Sequence, residues 1–277
     1  MDLNLFRVKA FLRPLFADEV TPPEALRRAI EEKPTSVGGA SGGRWHIGNV
    51  QPLDANGLYF ALGRTSRATI PLLDPNTGDF RESESETAPY THVILDVPTE
   101  VCAIARKASL APTPTALANH LARVLNASTI AQSEGAEFEV APLSDPEEFV
   151  SLLRAAYAIR RFMVTFSRPN PFDPEEDWHK PMERLVEKTN GKGGSTTLVG
   201  DSLSEEPLED LTRSVASTGD DARATLQLQQ GQPPVRRRLR GDTATITIAE
   251  RDDETPDWRS ILAKVRDKYR EIRGQTV

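Results

Sequence analysis

The chain has 277 residues, 38% hydrophobic and 27% charged, which is ordinary globular material with room for a sizeable core. Its formal net charge of −7 argues against a protein that coats nucleic acid indiscriminately, because that task needs excess Lys and Arg to displace counterions from phosphates. A single cysteine, Cys102, excludes an intramolecular disulfide and a cysteine-based zinc site, and fits a reducing compartment.

No run approaches the roughly 18 apolar residues that span a bilayer, and Asp2 and Asn4 stand where a signal peptide would carry a basic flank and an apolar core. The expected location is the cytoplasm. From Leu3 to Leu12, Phe6, Val8 and Ala10 alternate with Arg7 and Lys9, the period of a half-buried strand. Thr21-Pro-Pro-Glu24 then supplies a cap, a proline in the first turn and a glutamate three residues on, predicting a short helix with Leu26 and Ile30 inward. The glycine cluster 38–43 lacks the Gly-Lys-Ser/Thr ending of a phosphate loop and reads as a mobile loop.

Strands are expected near residues 45–51, 58–63 and 65–72 as an antiparallel meander, with Asn56-Gly57 turning the first hairpin through positive φ. A turn at 74–78 and an acidic segment with Glu82, Glu84 and Glu86 lead into strands 90–97 and 101–105, where Cys102 reads as a small core residue. Thr113-Pro114 opens a helix with Leu117, Leu121, Val124 and Leu125 on one face. A strand at 137–141 follows, and Asp145-Pro-Glu-Glu148 starts a helix whose buried face is read as Phe149, Leu152, Leu153, Ala156 and Tyr157.

The second half reads as a buried strand with Phe162, Val164 and Phe166, a Pro-rich linker, a helix from Asp173-Pro174 interrupted by Pro181, a loop at 190–204, and a short helix at 208–215. Ala224 to Leu228 and Thr243 to Ala249 are expected to pair antiparallel, with Arg236, Arg237, Arg238 and Arg240 at their junction. The last helix, capped by Thr255 and Pro256, sets Trp258, Ile261, Leu262, Val265, Tyr269 and Ile272 on one side and Lys264 and Lys268 among the basic residues of the other. The fold class is therefore α+β, mainly antiparallel sheet with packed helices, β-rich in its first half and more helical in its second. A domain boundary is placed near Pro142, giving units 1–142 and 143–277.

No catalytic constellation emerges. His46, His92, His120 and His179 show no metal-ligand spacing, and Asp96 is followed by Ala105-Arg106-Lys107, which lacks the second acid of a magnesium nuclease. No Gly-x-Ser-x-Gly elbow and no kinase signature occurs. No catalytic residue, metal site or cofactor is assigned, and an enzyme with dispersed residues stays open. The arginine cluster has two readings: a hairpin tip kept soluble by charge, or a finger that holds phosphate oxygens bidentately.

The run Val101-Cys-Ala-Ile-Ala-Arg106, followed by Leu110-Ala-Pro-Thr-Pro-Thr-Ala-Leu-Ala-Asn-His-Leu121, resembles the corresponding strand and Pro-Thr helix start of the RexA prophage-exclusion family. It is also similar to uncharacterised bacterial families related to RexA and to the KwaB component of the Kiwa defence system. The resemblance implies a phage-defence accessory protein that binds DNA with little sequence discrimination and signals to a partner, often a membrane protein. The expected function is a non-enzymatic DNA-binding or sensing component, with Arg236, Arg237, Arg238 and Arg240 on phosphates and Lys264 and Lys268 supporting. The alternative is a protein-binding subunit or toxin-like effector that works through a partner protein; oligomeric state is open, a homodimer being one arrangement.

Overall fold

Strand β1 (Asp2–Phe11) is buried on both faces along nearly its whole length, and the rest of the chain is layered around it. The computed structural model describes residues 1–12, 20–37, 43–167, 186, 188–189, 191, 193–239, 242–249 and 256–275. Helix α1 (Pro22–Glu31) starts as its capping residues dictate, with the Thr21 hydroxyl accepting from the Glu24 N–H at 3.4 Å. There follow β2 (Thr35–Val37), β3 (Arg44–Pro52), β4 (Gly57–Arg64), β5 (Ser66–Leu73), β6 (Phe80–Thr87), β7 (Tyr90–Asp96) and β8 (Val101–Ala105). Helices α2 (Pro114–Leu125) and α3 (Thr129–Ser133), strand β9 (Glu137–Pro142) and helix α4 (Glu147–Ala155) complete this stretch.

The remaining elements are β10 (Ala158–Ser167), β11 (Gly193–Val199), α5 (Glu205–Thr218), β12 (Asp221–Gln227), β13 (Val235–Arg238), β14 (Thr245–Thr247) and α6 (Trp258–Ile272). The fold is α+β on antiparallel sheets, strand-rich in its first half and carrying in its second the longest of the described helices, α5 and α6. An eight-stranded sheet has the order β14-β1-β8-β7-β4-β3-β2, with β9 also on β1; a four-stranded sheet has the order β11-β10-β12-β13. No helix among the described residues is long and apolar enough to cross a membrane.

Alternation along β1 sends its two sets of side chains into two cores. Phe6, Val8 and Ala10 join Trp45, Phe60, Leu95 and Cys102 beneath α1 and α2. Leu3 and Leu5 join Tyr59, Ile94, the apolar residues of α6, and Phe162, Val164 and Leu226 of the second sheet. The expectation that Arg7 and Lys9 mark a solvent face is thereby overturned. Both are buried, because distant parts of the chain cover them and supply their partners. Arg7 donates to the Tyr269 hydroxyl at 2.6 Å and lies 3.7 Å from the Glu100 carboxylate, while Lys9 lies 3.2 Å from Asp220.

Several local expectations are corrected in the same way. Segment 243–249 does not pair with Ala224–Leu228: β14 takes the free edge of β1, and β13, which contains the arginines, takes the edge of β12. β4 pairs with β7, not with β5, so the meander stops there. β5 and the acidic segment, itself strand β6, form a separate two-stranded ribbon. Much of the loop expected at 190–204 is β11, whose Gly, Ser and Thr residues pair with β10 at an exposed sheet edge. Helix α4 ends at Ala155, leaving Tyr157 exposed. Residues 38–42, the Asp173–Pro181 segment, Arg240 and Thr255 lie outside the described residues, and the cap of α6 is Asp257 in place of the expected Thr255: its carboxylate accepts from the Arg259 N–H at 3.1 Å, so Pro256 precedes the helix.

Gly57 does open β4, but neither it nor Asn56 has a positive φ. Glycine is required there for another reason: a Cβ would run into Leu262, so the hairpin end leaves just enough space for α6. The same corner clamps that helix electrostatically. Arg266 donates to Asp54 at 2.8 Å and to Asp96 at 2.7 Å, and Asp96 also accepts from Thr99 at 2.6 Å.

The Arg266 hydrogen bond holds the Asp54 carboxyl down at about 2, below its usual 3.8. The ionised form is thus favoured by folding; the contribution is complete above about pH 4 and is lost as pH falls through about 2. The expected outcome is that the urea midpoint of the native protein falls between pH 4 and pH 2, and that Asp54→Asn, measured in parallel, shows a shallower fall from a lower starting value.

Candidate nucleic-acid interface

The arginines seen as one sequence cluster become part of a larger surface because strand alternation sorts residues by face. In β10, Phe162 and Val164 point into the core and Arg161, Met163 and Thr165 point out. In β12, Ala222, Ala224 and Leu226 are buried and Arg223 and Thr225 face outward. Register then aligns the strands: Arg161 lies opposite Thr225, and Thr225 opposite Arg236; Met163 lies opposite Arg223, and Arg223 opposite Arg238. Arg161, Arg223, Arg236 and Arg238 therefore share one face across three strands that stand about 4.8 Å apart.

Arg237 alternates to the other side, opposite the buried Ala224, yet stays exposed because β13 is an edge strand. Together with the outward four it lines a shallow cleft of about 380 Å³ floored by Met163 and Thr225. Among the described residues a single carboxylate answers this charge: Asp221 accepts from Arg238 at 2.6 Å and from Arg223 at 3.2 Å. Among the described residues, Arg161, Arg236 and Arg237 have no carboxylate within ion-pair distance. Exposed guanidinium groups in excess over carboxylates suit an oligoanion, since each can present two parallel N–H donors to phosphate oxygens.

The two lysines are elsewhere. α6 packs its apolar side into the core beneath the four-stranded sheet, on the side opposite the outward arginines. Lys264 is exposed on that helix, and Lys268 is engaged by Asp145 at 3.3 Å and Glu271 at 2.8 Å. Burial opposes the Lys268 charge, but the Glu271 hydrogen bond and the Asp145 charge prevail and its pKa is raised. Lys268 thus fastens α6 to the start of α4. Of the residues expected at the site, Arg236, Arg237 and Arg238 come together, Arg240 lies outside the described residues, and Lys264 and Lys268 do not join them. Arg161 and Arg223 were missed; the available signal was the alternation Arg-Phe-Met-Val-Thr and Ala-Arg-Ala-Thr-Leu around each.

Other chemically capable side chains have structural partners. Cys102 is fully buried, and burial pushes its thiol pKa far up, so it is a core residue and not a nucleophile. His92 accepts or donates at 2.9 Å with the Tyr59 hydroxyl, and Tyr59 stacks on Trp258 at 4.7 Å, an aromatic group that seats the start of α6. Burial, helped by Lys107, lowers the His92 pKa, which favours the neutral ring. Among the described residues no three His, Cys, Asp or Glu side chains are arranged to hold a metal ion. No protein-family model matches the chain, and no curated protein matches its sequence.

Lys268→Ala removes the ion pairs to Asp145 and Glu271 and is expected to lower the urea midpoint relative to the native protein measured in parallel.

Proposed function

We propose that this chain binds DNA, with little sequence discrimination, as a non-enzymatic component of a bacterial phage-defence or exclusion system. The observation that carries the DNA reading is the outward face of β10, β12 and β13, where Arg161, Arg223, Arg236 and Arg238 have, among the described residues, a single counter-carboxylate, Asp221. Phosphate contacts position a protein on DNA but carry no sequence information, and this face offers a shallow strand surface with no helix to enter a groove. The overall charge of −7 does not forbid binding, because screening limits each charge to about 10 Å at 0.1 M salt and the local patch decides. The defence context rests on the resemblance of residues 101–106 and 110–121, which form β8 and the approach to and body of α2.

One observation favours the rival reading of a protein-binding subunit. The ribbon of β5 and β6 exposes Leu72, Leu73 and Phe80 at its tip, Phe80 at 80%. Glu82, Glu84 and Glu86 alternate along one face of it. Apolar side chains grouped on an exposed two-stranded arm suit a protein partner, and the arm shares no residue with the arginine face.

A salt titration of duplex binding tests the proposal. With three to four phosphates contacted, log K against log salt should have a slope of roughly −3. Replacing Arg236, Arg237 and Arg238 together by alanine should reduce both the slope and, by at least about tenfold at low salt, the affinity. Absence of binding at low salt, or an affinity unchanged in the triple variant, would overturn it.

A further inference from the structure

A cleft of about 780 Å³ opens where β4 leaves the eight-stranded sheet for the ribbon, and Arg44, His46, Arg64, Ser66, Arg67 and Glu86 line it. Arg64 is the cross-strand partner of Trp45, while Thr65 binds the Arg44 backbone through both its N–H and its hydroxyl. The Arg64 and Arg44 side chains therefore leave opposite faces of the strand pair and both reach the cleft at its end. Arg67 arrives from the base of the ribbon, directly opposite Glu86.

Two further observations mark this corner. First, Arg44, Arg64 and Arg67 hold no carboxylate within ion-pair distance among the described residues, whereas Arg154, Arg213 and Arg266 each do. Second, among the described residues two of the side chains that line the cleft have a buried nitrogen without a hydrogen-bond partner, His46 Nε2 and Arg64 Nε. Native proteins leave few such atoms, and clustering of them points to a polar ligand. Arg64 is also positioned in advance. Its guanidinium lies 6.0 Å from the Trp45 ring, which stacks on His120 at 4.0 Å, and its side chain passes so close to Gly43 that a Cβ there would meet it at 3.2 Å. His46 is steadied through Nδ1 by the Thr35 hydroxyl at 3.0 Å.

We infer that this cleft binds a small ligand carrying one or more phosphate groups, with Arg44, Arg64 and Arg67 as its charge partners and Ser66 and His46 as hydrogen-bonding groups. Three guanidinium groups against the one carboxylate of Glu86 leave an excess of positive charge that a phosphate group answers, and the volume falls within the roughly 300–1,000 Å³ of small-molecule sites. The site shares no residue with the arginine face of the second sheet and stands or falls independently of the DNA reading.

Isothermal titration of the full chain with inorganic pyrophosphate, with ATP and with a duplex oligonucleotide tests it. Pyrophosphate and ATP are expected to bind with dissociation constants below about 1 mM. The exposed pair Arg44→Ala/Arg67→Ala should weaken both by at least about tenfold, with an unchanged thermal melt showing that the variant is folded. Arg236→Ala/Arg238→Ala should leave both unchanged. Equal affinity for pyrophosphate and ATP identifies the phosphate chain as the recognised group, and tighter ATP binding adds a nucleoside contact; either supports the site. Failure of both small ligands to bind, binding that survives Arg44→Ala/Arg67→Ala, or competition for them by the duplex oligonucleotide would overturn it.

Discussion

A strand with no solvent face sets the terms for this fold. β1 divides two cores, and its odd-numbered side would present Arg7 and Lys9 to an apolar interior unless distant parts of the chain brought partners to them. They do so at two points. Tyr269 of α6 and Glu100 meet Arg7; Asp220, held also by Thr218 at 2.7 Å, meets Lys9. Gly219 makes the second contact accessible: at φ 76° it ends α5 in a left-handed cap, a conformation glycine adopts freely, and turns the chain so that Asp220 lies under Lys9. Losing one member of a buried pair typically costs about 3–5 kcal/mol, against about 0–1 for a surface pair. These contacts therefore weigh more in fixing the two layers together than surface pairs such as Arg270 with Asp267.

The arginine face follows from that arrangement. Once Phe162, Val164, Ala222, Ala224 and Leu226 are committed to the core shared with β1 and α6, alternation leaves the intervening residues of β10 and β12 facing outward. Those residues include Arg161 and Arg223, and pairing of β13 with β12 adds Arg236 and Arg238 to the same rows. Packing of α6 on the inner side also explains why its lysines belong to another surface. The helix is held by Gly57, by the Arg266 bonds to Asp54 and Asp96, and by the aromatic group of Tyr59, His92 and Trp258.

Elements governed by local chemistry were legible in the chain alone. α1, α2 and α6 carry apolar residues at helical spacing and a proline at or near the first turn, and β7 and β8 are short apolar runs bounded by turns. What could not be read depends on distant pairing. Arg7 and Lys9 look solvent-facing because their partners lie more than 90 residues away, and residues 245–247 look like the mate of β12 because β1 is at the far end of the chain. The Arg236–Arg238 cluster was visible as three adjacent charges. Of its neighbours, Arg161 stood in the pair Arg160-Arg161 and Arg223 was a single arginine in an alternating strand, and only register places them beside it. The glutamates of β6 read as a solvated acidic run, and their order as a strand comes from pairing with β5.

The central proposal is that DNA phosphates are contacted by the outer face of the four-stranded sheet. Nuclear magnetic resonance of the arginine Nε–Hε groups during titration with a short duplex tests it most directly. The account predicts shifts at Arg161, Arg223, Arg236 and Arg238, with Arg259 and Arg266 of α6 unmoved. Shifts confined to α6, or none at the four sheet arginines under saturating duplex, would contradict it.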